Sequence, residues 1–162
     1  PETYKEMYGD NLLDKLIELF KPVGDYKQTR IRYWKMVTDL FSNNFMKPIY
    51  DWCDSHGLKF TGHLVCEESL GSQLATNGAV MPHYEYFHIP GVDKLNRHID
   101  DWFTGIQLGS AAQQLDKKQT ITESFALCGH NVSFSELRGL YEWQAMVRHC
   151  FVRTSRVIRC AE

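Results

Sequence analysis

Two glutamates stand where a pair of carboxyl groups could work together. Glu67 falls in the stretch Leu58-Lys59-Phe60-Thr61-Gly62-His63-Leu64-Val65-Cys66-Glu67-Glu68, and Glu123 in Gln119-Thr120-Ile121-Thr122-Glu123-Ser124-Phe125. The first stretch alternates with a period of two. Thr61, His63, Val65 and Glu67 fall on one face of a strand over 58–66, and Phe60, Leu64 and Cys66 on the other. A strand with one apolar face, ending in a carboxylate, suits the catalytic rim of a parallel barrel. The apolar face packs on outer helices, and the carboxylate sits where strand gives way to loop. The second stretch, a strand over 119–125, repeats the design. Carboxyls facing one another across such a rim can divide general acid and general base work between them.

Glu68 is the rival of Glu67 for the inward position. Parity groups Glu67 with His63, and a bulge at Cys66 would reverse that. Plainer roles compete as well: a glutamate at a strand end also caps helices or pairs with arginine, and a strand histidine is commonly a satisfied core residue. The spacing His83-x-Glu85-x-x-His88 contains metal-ligating types. It is not the helical H-E-x-x-H arrangement, and Pro82 and Pro90 make it loop, so no metal and no cofactor is assigned.

The elements that must position these groups follow from periodicity. A short helix over 11–20 starts at Asp10 or Asn11 and ends before Pro22 and Gly24. A longer one over 29–55 carries Ile31, Trp34, Val37, Phe45, Ile49 and Trp52 at steps of three and four, with a kink or break near 44–47 because of Pro48. Residues 81–93 read as a long aromatic loop running into a short strand near 89–92. A helix over 99–115 leads to the strand at 119–125. Ser133-Phe134-Ser135-Glu136 is a capping box opening a helix with Leu137, Leu140, Tyr141, Trp143, Met146 and Val147 on its inner side. The four tryptophans lie on helix stripes and are expected in the core. Strands alternating with helices predict an α/β fold with a parallel sheet. A closed barrel takes about 250 residues, so the expected architecture is a partial (β/α)8 TIM barrel of about three βα units.

At 162 residues, 43% hydrophobic and 23% charged, the chain reads as one region, 1–162, with one core. A net charge of −2 without a concentrated basic cluster argues against a nucleic-acid partner. No apolar run reaches membrane-spanning length, so no membrane partner is expected. The chain opens with Pro1, so its natural start is expected upstream and the compartment stays open. Five cysteines without a C-x-x-C pair suggest neither zinc nor a disulfide framework, and are expected to be mostly buried free thiols.

Three segments in order resemble bacterial TIM-barrel glycoside hydrolases of the α-L-rhamnosidase-like or β-galactosidase-like group. They are Phe60-Thr61-Gly62-His63-Leu64-Val65-Cys66-Glu67-Glu68, Met81-Pro82-His83-Tyr84-Glu85-Tyr86 with Ile89-Pro90-Gly91-Val92-Asp93, and Thr122-Glu123-Ser124-Phe125. Glu142-Trp143-Gln144-Ala145-Met146-Val147-Arg148 is similar to the family's following helix, and the likeness covers roughly 30–148. Two departures stand out. Ala126-Leu127-Cys128-Gly129-His130 replaces a Gly-rich loop, and 148–162 is a basic, unpatterned tail where family members continue into another barrel strand.

The resemblance implies a fragment of a catalytic barrel that cleaves glycosidic bonds of plant or bacterial polysaccharides, inactive when isolated. Its partners would be an oligo- or polysaccharide substrate and the remaining barrel segments of a longer parent, periplasmic or secreted. Glu67 and Glu123 are the catalytic carboxyls this implies, one donating a proton and the other acting as nucleophile or base. His63, Glu68, His83, Tyr84, Glu85, Asp93 and Asn131 are the substrate-binding candidates, with Tyr84 or Tyr86 as a stacking plane. The competing class is a non-catalytic carbohydrate-binding or structural α/β domain.

Overall fold

The computed structural model describes residues 1–99, 102–149 and 155–159. Helix α1 (Glu2–Tyr8) ends at left-handed Gly9. Asn11 then caps a 3-10 turn, Leu12–Lys15, by accepting from the Leu13 amide, and the turn runs on into α2 (Leu16–Phe20). These pieces close a small satellite core in which Tyr4 and Leu12 pack with Met36 of α3 (Tyr26–Phe41). The break expected near 44–47 is a π turn, Ser42–Met46, followed by α4 (Lys47–Ser55). Pro48 sits in the first turn of α4, where a missing N–H is least costly.

The sheet is parallel and its strands follow chain order, β1-β2-β3-β4. They are β1 (Thr61–Gly62), β2 (Ile89–Lys94), β3 (Thr120–Ser124) and β4 (Ser155–Arg159). Helices α5 (Leu70–Asn77) and α6 (Val80–His83) lie between β1 and β2, α7 (Phe103–Gln114) between β2 and β3, and α8 (Phe134–His149) between β3 and β4. The Ser133–Glu136 box caps α8: the Glu136 amide donates to Ser133 Oγ at 3.2 Å and the Ser133 amide returns to Glu136 Oε2 at 2.9 Å. A parallel sheet that always steps the same way needs a crossover at every step, and right-handed crossovers then put the helices on one face. Val92 lies on that face in the main core, with Leu108 and Ala111 of α7 and Met46, Leu64, Val80, Tyr84 and Phe87.

Several expectations are corrected. The strand over 58–66 is only two residues long; 63–68 is loop, and Cys66 has a left-handed backbone (φ 56°). Cys66 is also an exposed thiol, whereas Cys128 is buried. The tryptophans are not core: Trp34 and Trp143 are half-buried, and Trp52 and Trp102 are exposed. On α3 the buried positions are Thr29, Met36 and Thr38, while Ile31 is exposed. On α8, Tyr141 and Met146 face outward and Gln144 is buried, accepting from Ser124 Oγ at 2.9 Å. Polar atoms on the inner strand face attract a polar helix residue, which an apolar stripe cannot anticipate. The tail read as unpatterned contains β4, paired in parallel with β3 from Thr120↔Ser155 to Ser124↔Arg159. Its first two residues, 148–149, end α8, and the rest, with Cys150 and Cys160, lies outside the described residues.

Gly91 leaves no room for a side chain. A Cβ there would meet the Ile121 side chain and stand 2.6 Å from the Gly62 carbonyl oxygen. Gly91→Ala is therefore expected to destabilise the protein by about 1–3 kcal/mol, as overpacking does. Gly71, in α5 with open space around it, should accept alanine without loss. Thermal unfolding of the two variants checks the contrast; equal effects would contradict this packing.

Candidate functional site

All strands run the same way, so the C-terminal ends of β1, β2 and β3 share one rim. Asp93 and Glu123 are direct neighbours across the β2–β3 ladder, two residues beyond the Gly91–Ile121 pair. Both lie on the face opposite Val92 and Ser124. His63 follows β1 at once. Its Nε2 donates to Glu123 Oε2 at 2.9 Å, its Nδ1 to the Leu64 carbonyl at 2.9 Å, and Asp93 Oδ2 stands 3.9 Å from Nδ1. Both ring nitrogens thus face oxygen acceptors. Burial pulls the ring's pKa down, but the Leu64 carbonyl, Asp93, Glu123 and Glu67 outweigh it and hold the pKa above its usual value.

Glu67 completes the group from the loop. It is 1% exposed, while its neighbour Glu68 points to solvent. Tyr84 donates its phenolic hydrogen to Glu67 Oε1 at 3.0 Å, and Oε2 has no hydrogen-bond partner. Burial pushes the carboxyl up from 4.5 to about 7; the Tyr84 bond opposes the shift and the charge of Asp93 adds to it. Burial likewise raises Asp93, against the attraction of His63 and with Glu68 and Glu123 adding.

His63, Glu67 and Asp93 each offer an atom within 4.8 Å of the other two, the one group of metal-ligating types so close among the described residues. An ion there would need a bare nitrogen on His63. Both nitrogens face oxygen atoms, the Leu64 carbonyl oxygen and Glu123 Oε2, a geometry that also suits proton handling.

The structure brings Glu67, Glu123, His63 and Asp93 together, with Tyr84 directly behind. It does not bring the other candidates in. His83 is fully buried, bonded through Nδ1 to Ser42 Oγ (2.7 Å) and through Nε2 to the Asn77 carbonyl (3.0 Å). Tyr84, fully buried too, offers no plane for stacking. Glu85 lies before β2, at the opposite end of the sheet, where its carbonyl accepts from Lys117. His88 Nδ1 accepts from the Phe60 amide, its Nε2 faces Asp54 and its ring stacks on Tyr50, so the H-x-E-x-x-H spacing assembles nothing. Asn131 accepts from Arg97 at 2.8 Å and ties two rim loops together outside the carboxyl cluster. Glu68 reaches the site only through its charge on Asp93.

Backbone strain gathers at the same rim. Besides Cys66, Phe125 (φ 77°) and Leu127 (φ 59°) are left-handed just after Glu123. Such residues cost about 1–3 kcal/mol each and persist where surroundings enforce them. Phe125 and Leu127 flank the start of the loop in which the resembled family is Gly-rich.

Sequence reasoning missed Gln73 and Gln107, both buried behind Glu67. The available signal was a polar residue on the inner face of each of two helices. Comparison with family models, with curated proteins and with solved structures gives no match. The functional reading accordingly rests on geometry and chemistry.

A carboxyl whose pKa is raised on folding stabilises the protein fully below its unfolded pKa, and the contribution is lost as pH rises through about 7. Glu67→Gln, which keeps the Tyr84 bond, should match the wild type near pH 4. Above pH 8 it should be more stable, by up to about 3 kcal/mol for a shift of this size. Thermal unfolding across pH tests this, and curves that stay parallel would contradict it.

Proposed function

We propose that this chain is part of the catalytic barrel of a glycoside hydrolase, with Glu67 as the proton donor. The observation that carries the reading is a buried carboxyl, one oxygen bonded by Tyr84 and the other buried without a hydrogen-bond partner, beside a rim that bears two further carboxyl groups; burial raises its pKa to about 7. Glycoside cleavage needs one carboxyl group to protonate the leaving oxygen and another to act as nucleophile or to activate water. Glu67 fits the first role, since a donor's pKa should lie near the operating pH. Glu123, partly exposed and held by His63, fits the second. Asp93, between them in the ladder, is placed to bind a sugar hydroxyl or share the proton. The partial TIM barrel belongs to this proposal. Four parallel strands in chain order, with a helix at each crossover, are what an arc of such a barrel contains. The remaining strands in a longer parent would supply the opposite wall of a polysaccharide site.

A non-catalytic carbohydrate-binding or structural α/β domain is the second reading, favoured by the partial exposure of His63 and Glu123. It gives no reason to keep a costly buried carboxyl at its centre.

In the longer polypeptide that completes the barrel, Glu67→Gln should lower kcat on aryl glycosides with poor leaving groups by about 10²–10⁴. The loss should shrink with dinitrophenyl leaving groups, which need no proton. Glu123→Gln should abolish turnover for both, and wild-type turnover should fall as pH rises through about 7. Full turnover in both variants, or none on any glycoside in the wild type, would remove the proposal.

A further inference from the structure

The loop 63–68 has no strand partner, so its course is set by side chains behind it. Gln73 of α5, 2% exposed, donates from Nε2 to the Glu67 carbonyl oxygen at 2.6 Å and to Gln107 Oε1 at 2.8 Å. Gln107, 7% exposed, returns a bond from Nε2 to Gln73 Oε1 at 3.2 Å. One turn on, Asn77 Nδ2 donates to the Val65 carbonyl at 2.6 Å. The carbonyls on either side of Cys66, those of Val65 and Glu67, are therefore both pinned. A non-glycine residue stays in the left-handed region only where its surroundings enforce it. Released, Cys66 would return to an ordinary backbone, and the directions of Glu67 and Glu68 would change with it.

Gln107 belongs to α7, which packs on β2 and β3. Those are the strands that carry Asp93 and Glu123. The amide pair thus ties the loop bearing one carboxyl to the helix behind the strands bearing the other two. We propose that the Gln73–Gln107 pair is a positioning device: it holds Glu67 inward and sets its carboxyl against Asp93 and Glu123. Two buried amides that satisfy one another fix a single arrangement, whereas apolar residues of the same volume would fill the space and leave the loop free to turn.

The inference shares with the proposed function only the view that Glu67 is the working carboxyl. Its test reads stability, not turnover, so either can fail alone. In the full chain, the wild type and Gln107→Met are each compared with their Glu67→Gln counterparts by thermal unfolding at pH 5 and pH 8. The wild-type pair should diverge at pH 8, and the Gln107→Met pair should lose at least half of that divergence as the Glu67 carboxyl reaches water. A uniform drop in stability with the divergence intact would show mere space-filling and overturn the proposal. Gln73→Met makes the same test from the other residue should Gln107→Met not fold. Failure of both to fold at pH 5 would also overturn it, because a positioning pair is not what the sheet needs in order to form.

Discussion

A carboxyl group taken out of water holds its proton unless charge or hydrogen bonds replace the hydration it has lost. Glu67 is in that condition. One oxygen receives the Tyr84 hydroxyl, the other nothing, and the nearest charges are Asp93, which favours the neutral form, and His63, which opposes it. A single neutral donor does not offset full burial, so the group remains an acid where an exposed glutamate would be ionised. The surrounding structure can be understood as the means of keeping Glu67 in this place against its own preference for solvent.

Three layers do so. The sheet supplies direction, because parallel strands in chain order deliver the ends of β1, β2 and β3 to one rim. The main core supplies the wall. Leu64 is buried three residues before Glu67, and Tyr84 lies in the same apolar cluster that it leaves through its hydroxyl. Polar side chains from α5 and α7 supply the loop's course. His63 then connects Glu123 and Asp93 across the strands, and the oxygens around its ring raise its pKa, which favours the proton that eases repulsion between the two carboxylates.

Much of this was legible from residue types and spacing, for stated reasons. Local chemistry was readable: Asn11 caps its turn, Pro48 marks the break after α3, and the Ser133–Glu136 box opens α8. β2 and β3 fell where their patterns put them. Parity grouped His63 with Glu67, and both do reach the cluster. The cause is different, however, since no strand runs from 63 to 67 and the turn at Cys66 orients the side chain instead. What could not be read was anything decided by long-range pairing. Gln73, Gln107 and Gln144 look like surface residues until partners elsewhere in the chain satisfy them. Trp52 and Trp102 look like core residues from their spacing, yet both are exposed. His83 and Glu85, two positions apart, were assigned one role, yet one is buried against Ser42 and the other lies at the far end of the sheet.

A paired-carboxyl site and a proton held by burial make a single account, and its central claim concerns one ionisation. The direct measurement is a carbon-13 NMR titration of the Glu67 side-chain carboxyl, assigned by its loss in Glu67→Gln. The account predicts a midpoint close to 7. A midpoint near the ordinary glutamate value of about 4.3 would mean that the carboxyl is in water, and would contradict it.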